Sequence, residues 1–196
     1  MDRLGNCAYH RRLMTNPEAE LAVLQRFVDG YVEAIDVTLK ALGDEKTPAP
    51  ARRVLCGVLN YVLDLLDIFP DHYQGLGVAD DAMLLRIGAE QAVAAGATQA
   101  ELRKLAAETG EVEPLVGELM APLRQYVTRL ADRTVRGRTA QQILASKDLF
   151  AVFAADVRRH VAAHRPQQVE SSVSAAWSVG ELRKMVRHEL KKAGLV

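Results

Sequence analysis

Aromatic residues are scarce in this chain. They make up 5% of its 196 residues, and the apolar 49% is mostly alanine, leucine and valine. Such a composition favours helix and argues against a β-sandwich, whose strands draw on β-branched and aromatic side chains. Cysteine is nearly missing: Cys7 and Cys56 stand in neither a redox nor a zinc spacing. Cys56 falls in an apolar stretch and is expected as a buried thiol, which suits a reducing cytoplasm. The chain has no glycine-rich phosphate loop and no nucleophile elbow, so neither of those two catalytic signatures applies. Crossing a bilayer takes about 20 predominantly apolar residues. The longest apolar stretch, residues 54–69, is interrupted by Asp64 and Asp67. On insertion scales a charge at mid-bilayer costs roughly 2.5 to 3.5 kcal/mol, so this stretch reads as a core helix. Arg11 and Arg12 have no apolar run behind them. No signal peptide is therefore visible, and the expected location is cytoplasmic. Net charge is also missing, with 25 basic residues against 25 acidic ones, which argues against nucleic acid as a partner.

What is present is helical periodicity. Asn16-Pro17 is a helix start, with a capping side chain followed by a proline at the first helical position. The first helix is expected over 17–42, with Leu21, Leu24, Val28, Val32, Ile35 and Leu39 as its buried stripe. Residues 44–50, with two prolines, read as a linker. Further helices are expected over 52–69, 81–95, 98–110, 113–137, 139–164 and 178–193. Thr98 with Glu101, Thr139 with Gln142 and Ser178 with Glu181 have the spacing of capping boxes. No strand-like alternation and no internal repeat occurs. The expected fold is all-α: a compact bundle of about seven helices with a long loop before the last one. The expected organisation is a helical domain over 1–164, a linker over 165–177 and a basic amphipathic helix over 178–196.

The stretch 52–81 organises the rest. An apolar helix is followed by Pro70, which cannot continue it. A turn with Gly75 and Gly77 leads to Asp80 and Asp81 at the start of the next apolar run. Arg53, Asn60, Asp64, Asp67 and Asp71 are spaced seven, four, three and four apart, which is one face of a helical period. Tyr61, then Asp67-Ile68-Phe69-Pro70-Asp71, then Gly77-Val78-Ala79-Asp80-Asp81 resembles the signature of the YkvA-like domain-of-unknown-function family. The likeness covers residues 52–87. Asp64 stands where that family usually has proline, and Phe69 replaces a common isoleucine. The resemblance implies a small helical module, sometimes found in membrane-associated proteins, with no established catalytic activity.

Five carboxylates in this region, Asp64, Asp67, Asp71, Asp80 and Asp81, carry two readings. Gathered together, they need solvent, protons, arginines or a cation. Unit charges about 4 Å apart interact by about 4 kcal/mol at an effective dielectric near 20. Arg52, Arg53 and Arg86 are the nearest cations in sequence. An oxygen-rich set of Asp67, Asp71, Asp80 and Asp81, with Asp64 and His72 as further members, suits a divalent cation such as magnesium, calcium or manganese. On the other reading, Asp67 and Asp71 satisfy amides at the helix break while Asp80 and Asp81 cap a helix start.

Elsewhere the signals are thinner. His160 and His164 are four apart on one helix, surrounded by arginines, and read as a solvated polar face. His188-Glu189 lacks the second histidine of a zinc-protease helix. Arg133, Arg136 and Arg138 sit at a helix end, where the dipole favours them. In the last helix Arg183, Lys184, Arg187, Lys191 and Lys192 accompany an apolar stripe. That pattern suits peripheral contact with anionic lipid or an acidic protein, or packing on the bundle with Trp177 as an anchor. The expectation is a helical scaffold or adaptor without catalytic activity, binding a protein partner, with no cofactor. The alternative is a divalent-metal-binding module or metal-dependent hydrolase.

Overall fold

In the computed structural model, residues 16–64, 68, 77–165, 169 and 175–196 are described. Asn16 starts the first helix as its sequence demands, its side chain accepting from the amides of Glu18 and Ala19. The helices in order are α1 (Pro17–Asp29), α2 (Tyr31–Gly43), α3 (Ala49–Tyr61), α4 (Ala79–Ala94), α5 (Ala100–Ala107), α6 (Val112–Val116), α7 (Met120–Leu130), α8 (Ala140–Ala145), α9 (Lys147–Ala163) and α10 (Ala175–Lys192). Among the described residues there is no β-strand, only an isolated bridge between Val135 and Arg138. The fold is all-α, as composition and periodicity require. No helix among the described residues is long and apolar enough to cross a membrane.

α3 and α4 form the centre, and small residues let them meet. A Cβ at Gly88 would lie 2.8 Å from Val58 Cγ1, and one at Gly57 would lie 2.7 Å from the amide nitrogen of Ala131. Glycine at these two positions lets α4 approach one side of α3 and the end of α7 approach the other. α4 is buried nearly all round, from Ala79 to Ala89, as expected for a helix enclosed by neighbours. α1 and α2 pack on α4 through Leu24, Phe27, Tyr31 and Ile35.

Several boundaries differ from the sequence-based expectation, each for a local reason. The single helix expected over 17–42 is interrupted at Gly30, whose ψ of 6° departs from helical geometry. The helix expected to reach residue 69 ends at Tyr61. Leu63 and Asp64 then bond back to the carbonyls of Asn60 and Tyr61, the tightened turn common at helix ends. Asp64 is therefore off the α3 face that carries Arg53 and Asn60, and the stripe's Asp67 and Asp71 lie outside the described residues. Gly117, at φ +59°, separates α6 from α7, so the single helix expected over 113–137 is divided and Pro122 falls in the first turn of α7. Of the three capping boxes, only Thr139–Gln142 forms in full. Gln99, and not Thr98, precedes α5, and its amide group is drawn to Asp44 and Thr47. α10 begins at Ala175, three residues before Ser178.

The last helix is part of the bundle. Val179, Leu182, Val186 and Leu190 are buried against α1, α6 and α7. Each buried leucine or valine of this kind contributes about 1.5–3 kcal/mol of transfer free energy. Before α10, Val169 is buried and its amide donates to Gln25 Oε1 at 2.7 Å. Residues 1–15, most of the expected 165–177 loop and the Trp177 side chain lie outside the described residues.

Candidate functional site

Asp80 and Asp81 are 0% and 1% exposed. Both stand in the first turn of α4, but neither caps it. The N-cap is Val78, with no side-chain cap bond. The capping role expected for them is therefore replaced by a tertiary one. Tyr61, the last residue of α3, donates its hydroxyl to Asp80 Oδ2 at 2.7 Å. The Ile68 amide also donates to Asp80 Oδ2, at 3.1 Å, and to the Tyr61 oxygen at 2.8 Å. Ile68 belongs to the Ile-Phe-Pro-Asp half of the sequence motif and Asp80 to the Gly-x-x-Asp-Asp half. The two halves therefore meet in space.

Asp81 faces the other way round the helix. Tyr31, the first residue of α2, donates to Asp81 Oδ2 at 3.0 Å, and its oxygen lies 2.9 Å from His160 Nε2. The rings of His160 and His164 stand edge-on to the Tyr31 ring, at 6.2 and 5.1 Å between centroids. His160 and His164 are half-buried on this tyrosine, so the solvated face expected for them is corrected. Adjacent carboxylates, pointing in different directions because neighbouring residues of a helix are about 100° apart, thus link α4 to α2, α3 and α9.

Burial raises the Tyr61 hydroxyl well above its ordinary pKa, and the neighbouring Asp80 carboxylate raises it further. Tyr61 stays protonated and serves as a donor across the physiological range.

Asp64 behaves differently. Its carboxylate is 2.8 Å from Arg133 Nη2. Arg133 also donates to the Tyr126 oxygen at 2.6 Å and stacks over the Tyr61 ring at 5.4 Å. Burial works against the Arg133 charge, but Tyr126 and Asp64 outweigh it and its pKa is raised. The three arginines nearest in sequence are engaged elsewhere: Arg52 with the Leu42 carbonyl, Arg53 with Asp132, and Arg86 with Glu108. The Arg86 guanidinium also lies 3.9 Å over the Phe27 ring.

Compared with protein-family models, curated proteins and solved structures, the chain matches none.

Of the six sequence-predicted ligands, Asp80 and Asp81 are adjacent, Asp64 is bound to Arg133, and Asp67, Asp71 and His72 lie outside the described residues. Among the described residues no group of three histidine, cysteine or acidic side chains is placed to hold a metal ion. Sequence reasoning missed Tyr31, Arg133, His160 and His164 as partners. Only the Tyr61 of the motif was available as a hint that tyrosine hydroxyls face these carboxylates.

The basic residues of α10 have internal partners. Arg183 donates to the carbonyls of Leu115 and Pro114 and pairs with Glu20 at 3.1 Å. Arg187 pairs with Glu118, Lys184 with Glu181 and Lys192 with Glu189. Lys191 is exposed.

Proposed function

We propose that the chain is a helical scaffold or adaptor, built round a YkvA-like module, that acts by holding a protein partner rather than by turning over a substrate. What supports this reading is the state of Asp80 and Asp81. The most reactive-looking pair in the sequence is sealed from solvent and held by tyrosines from two other helices. A group that meets a substrate needs a cleft; a group that locks helices together needs burial and donors. The apolar stripe of α10 is spent inside the bundle, so a partner meets the outer faces of the helices. In-cell cross-linking followed by capture and sizing tests this. The reading requires a defined partner that wild type retains and that a folded surface-charge variant loses. A chain recovered only as an inert monomer, from every condition and variant, removes it.

A second reading is favoured by one observation. The Ile68 amide and the Asp80 carboxylate bring the two halves of the acidic motif together. On this reading Asp67, Asp71, Asp80 and Asp81 bind a divalent cation, and the cation polarises an oxygen or lowers the pKa of bound water. Isothermal titration with magnesium, calcium and manganese decides it. Heat that disappears in Asp67→Asn with Asp80→Asn supports the cation. No heat from the wild type removes it.

A further inference from the structure

Away from the Asp80–Asp81 hub, α9 lies at the edge of the bundle, packed on α8 and α2. Phe153, Ala154 and Val157 face inward and are buried. Of the three exposed large hydrophobics among the described residues, two belong to α9: Leu149 at 38% and Val152 at 53%. At about 100° per residue, Asp148, Val152, Ala155 and Arg159 fall within about 30° of one line, directly away from the buried side. All four are exposed. Their order is symmetric. Asp148 and Arg159 stand equally far from the Phe153–Ala154 midpoint, and so do Val152 and Ala155. The charges at the two ends are opposite and unbalanced. Asp148 forms no ion pair among the described residues. At the far end one carboxylate answers two guanidiniums: Asp156 is 2.8 Å from Arg138 and 3.0 Å from Arg159, and the Arg159 side chain stays 74% exposed. Asp148 and Arg159 are about 16 Å apart along the helix, so they cannot meet within one chain.

We propose that this face of α9 pairs with the same face of a second copy of the chain, antiparallel, about a two-fold axis at the Phe153–Ala154 midpoint. In that register Val152 of each copy meets Ala155 of the other, and Asp148 meets Arg159 at both ends at once. The face is self-complementary, as a two-fold contact requires. Charge selects this occupant. A helix of one sign would meet like charge at one end of α9, and an apolar one would strand both Asp148 and Arg159. An antiparallel copy sets each charge against its opposite. Lys147 and Arg158 lie roughly 90–110° off the contact line, at its flanks. Two helices of this length meet below the roughly 1,200–2,000 Å² of stable interfaces. The association is therefore weak, with a dissociation constant between about 1 µM and 1 mM. The dimer is independent of the adaptor reading, which asks for a different protein on another face.

The test is sedimentation equilibrium of the full chain, from about 5 µM to about 1 mM, so that the expected range of affinity is covered. The expected result is a monomer–dimer equilibrium that Val152→Lys weakens about tenfold or more. Asp148→Arg alone, or Arg159→Asp alone, sets like charges face to face and should weaken it as well. The two reversals together should restore it to within about threefold of wild type, because each charge again meets its opposite. All these positions are exposed, so thermal melts should show an intact fold, and Glu101→Lys on α5 should leave the dimer unchanged. A wild type that is monomeric throughout overturns the proposal. A dimer that survives Val152→Lys and both single reversals belongs to another face and overturns it too. Single reversals that weaken the dimer without rescue by the pair overturn the antiparallel register. A monomeric wild type whose cross-linked partner is lost in Val152→Lys gives the face to a different protein, which also overturns the proposal. Failure of the dimer leaves the adaptor reading to its own cross-linking test.

Discussion

Asp80 and Lys184 are both charged residues on helices of one bundle, yet their surroundings are opposite. Asp80 is fully buried and accepts from a tyrosine hydroxyl and a backbone amide. Lys184 is 72% exposed and meets Glu181 on its own helix at 3.3 Å. At the α3–α4 centre Asp80 and Asp81 are desolvated and each accepts from a tyrosine hydroxyl. The α10 rim uses many charges: its lysines and Arg187 are exposed, while Glu181, Arg183 and Glu189 are half-buried. Burial, and not the number of charges, decides which region depends on its polar groups. A buried acceptor that is removed strands its donors at about 1–3 kcal/mol each. A lost surface pair costs about 0–1 kcal/mol.

The largest expected effect breaks the central region. Asp80→Ala should strand the Tyr61 hydroxyl and leave the Ile68 amide with the Tyr61 oxygen as its acceptor, lowering unfolding free energy by about 2 kcal/mol in urea titrations. A loss below about 1 kcal/mol would put Asp80 in the same class as the rim charges. Tyr31→Phe keeps the ring against His160 and His164 but deletes the hydroxyl between Asp81 and His160. Its expected cost is about 1–2 kcal/mol, with faster amide exchange in α9 than in α5. An effect spread evenly over all helices would deny the link to α9.

An intermediate case sharpens the contrast through pH. A hydrogen bond from Arg138 holds Asp156 below the usual carboxylate range, and the charges of Arg138 and Arg159 add to it. Its folded pKa is depressed, so its stabilisation is full above the unfolded value near pH 4 and is lost as pH falls through the folded value. The advantage of wild type over Asp156→Asn should therefore be constant from pH 5 to 8 and shrink below about pH 4. Unfolding curves at pH 7, 5, 4 and 3 check this. The smallest expected effect is at the rim: Lys184→Ala should change stability by less than about 0.5 kcal/mol. A larger change would mean that exposure does not separate the two regions.

The same contrast explains what could be read from sequence. Asn16 and Thr139 were legible because a cap is settled by a few neighbouring residues. Cys56 was legible as a buried thiol because its flanks are apolar, and burial raises its pKa to about 12. The all-α class followed from periodicity. Asp80 and Asp81 stood out as unusual, but their partners Tyr61 and Tyr31 lie 19 and 50 positions away. A local reading therefore assigned them to helix capping. His160 is 129 positions from Tyr31. Arg133 reaches Asp64 across the bundle, whereas the nearer Arg52, Arg53 and Arg86 are engaged with other acceptors. Gly30 looked like an ordinary helix residue because nothing beside it marks the turn from α1 to α2. The packing of α10 on the bundle was left open by the sequence because a basic amphipathic pattern does not say what covers its apolar side.

A double-mutant cycle on Asp80→Asn and Tyr61→Phe, read by urea unfolding at pH 7, probes the hub most directly. If these side chains lock α4 to α3, the two losses should fall short of additivity by about 1–2 kcal/mol. Strict additivity, with each single variant near wild type, would contradict a structural role for the Asp80–Asp81 pair.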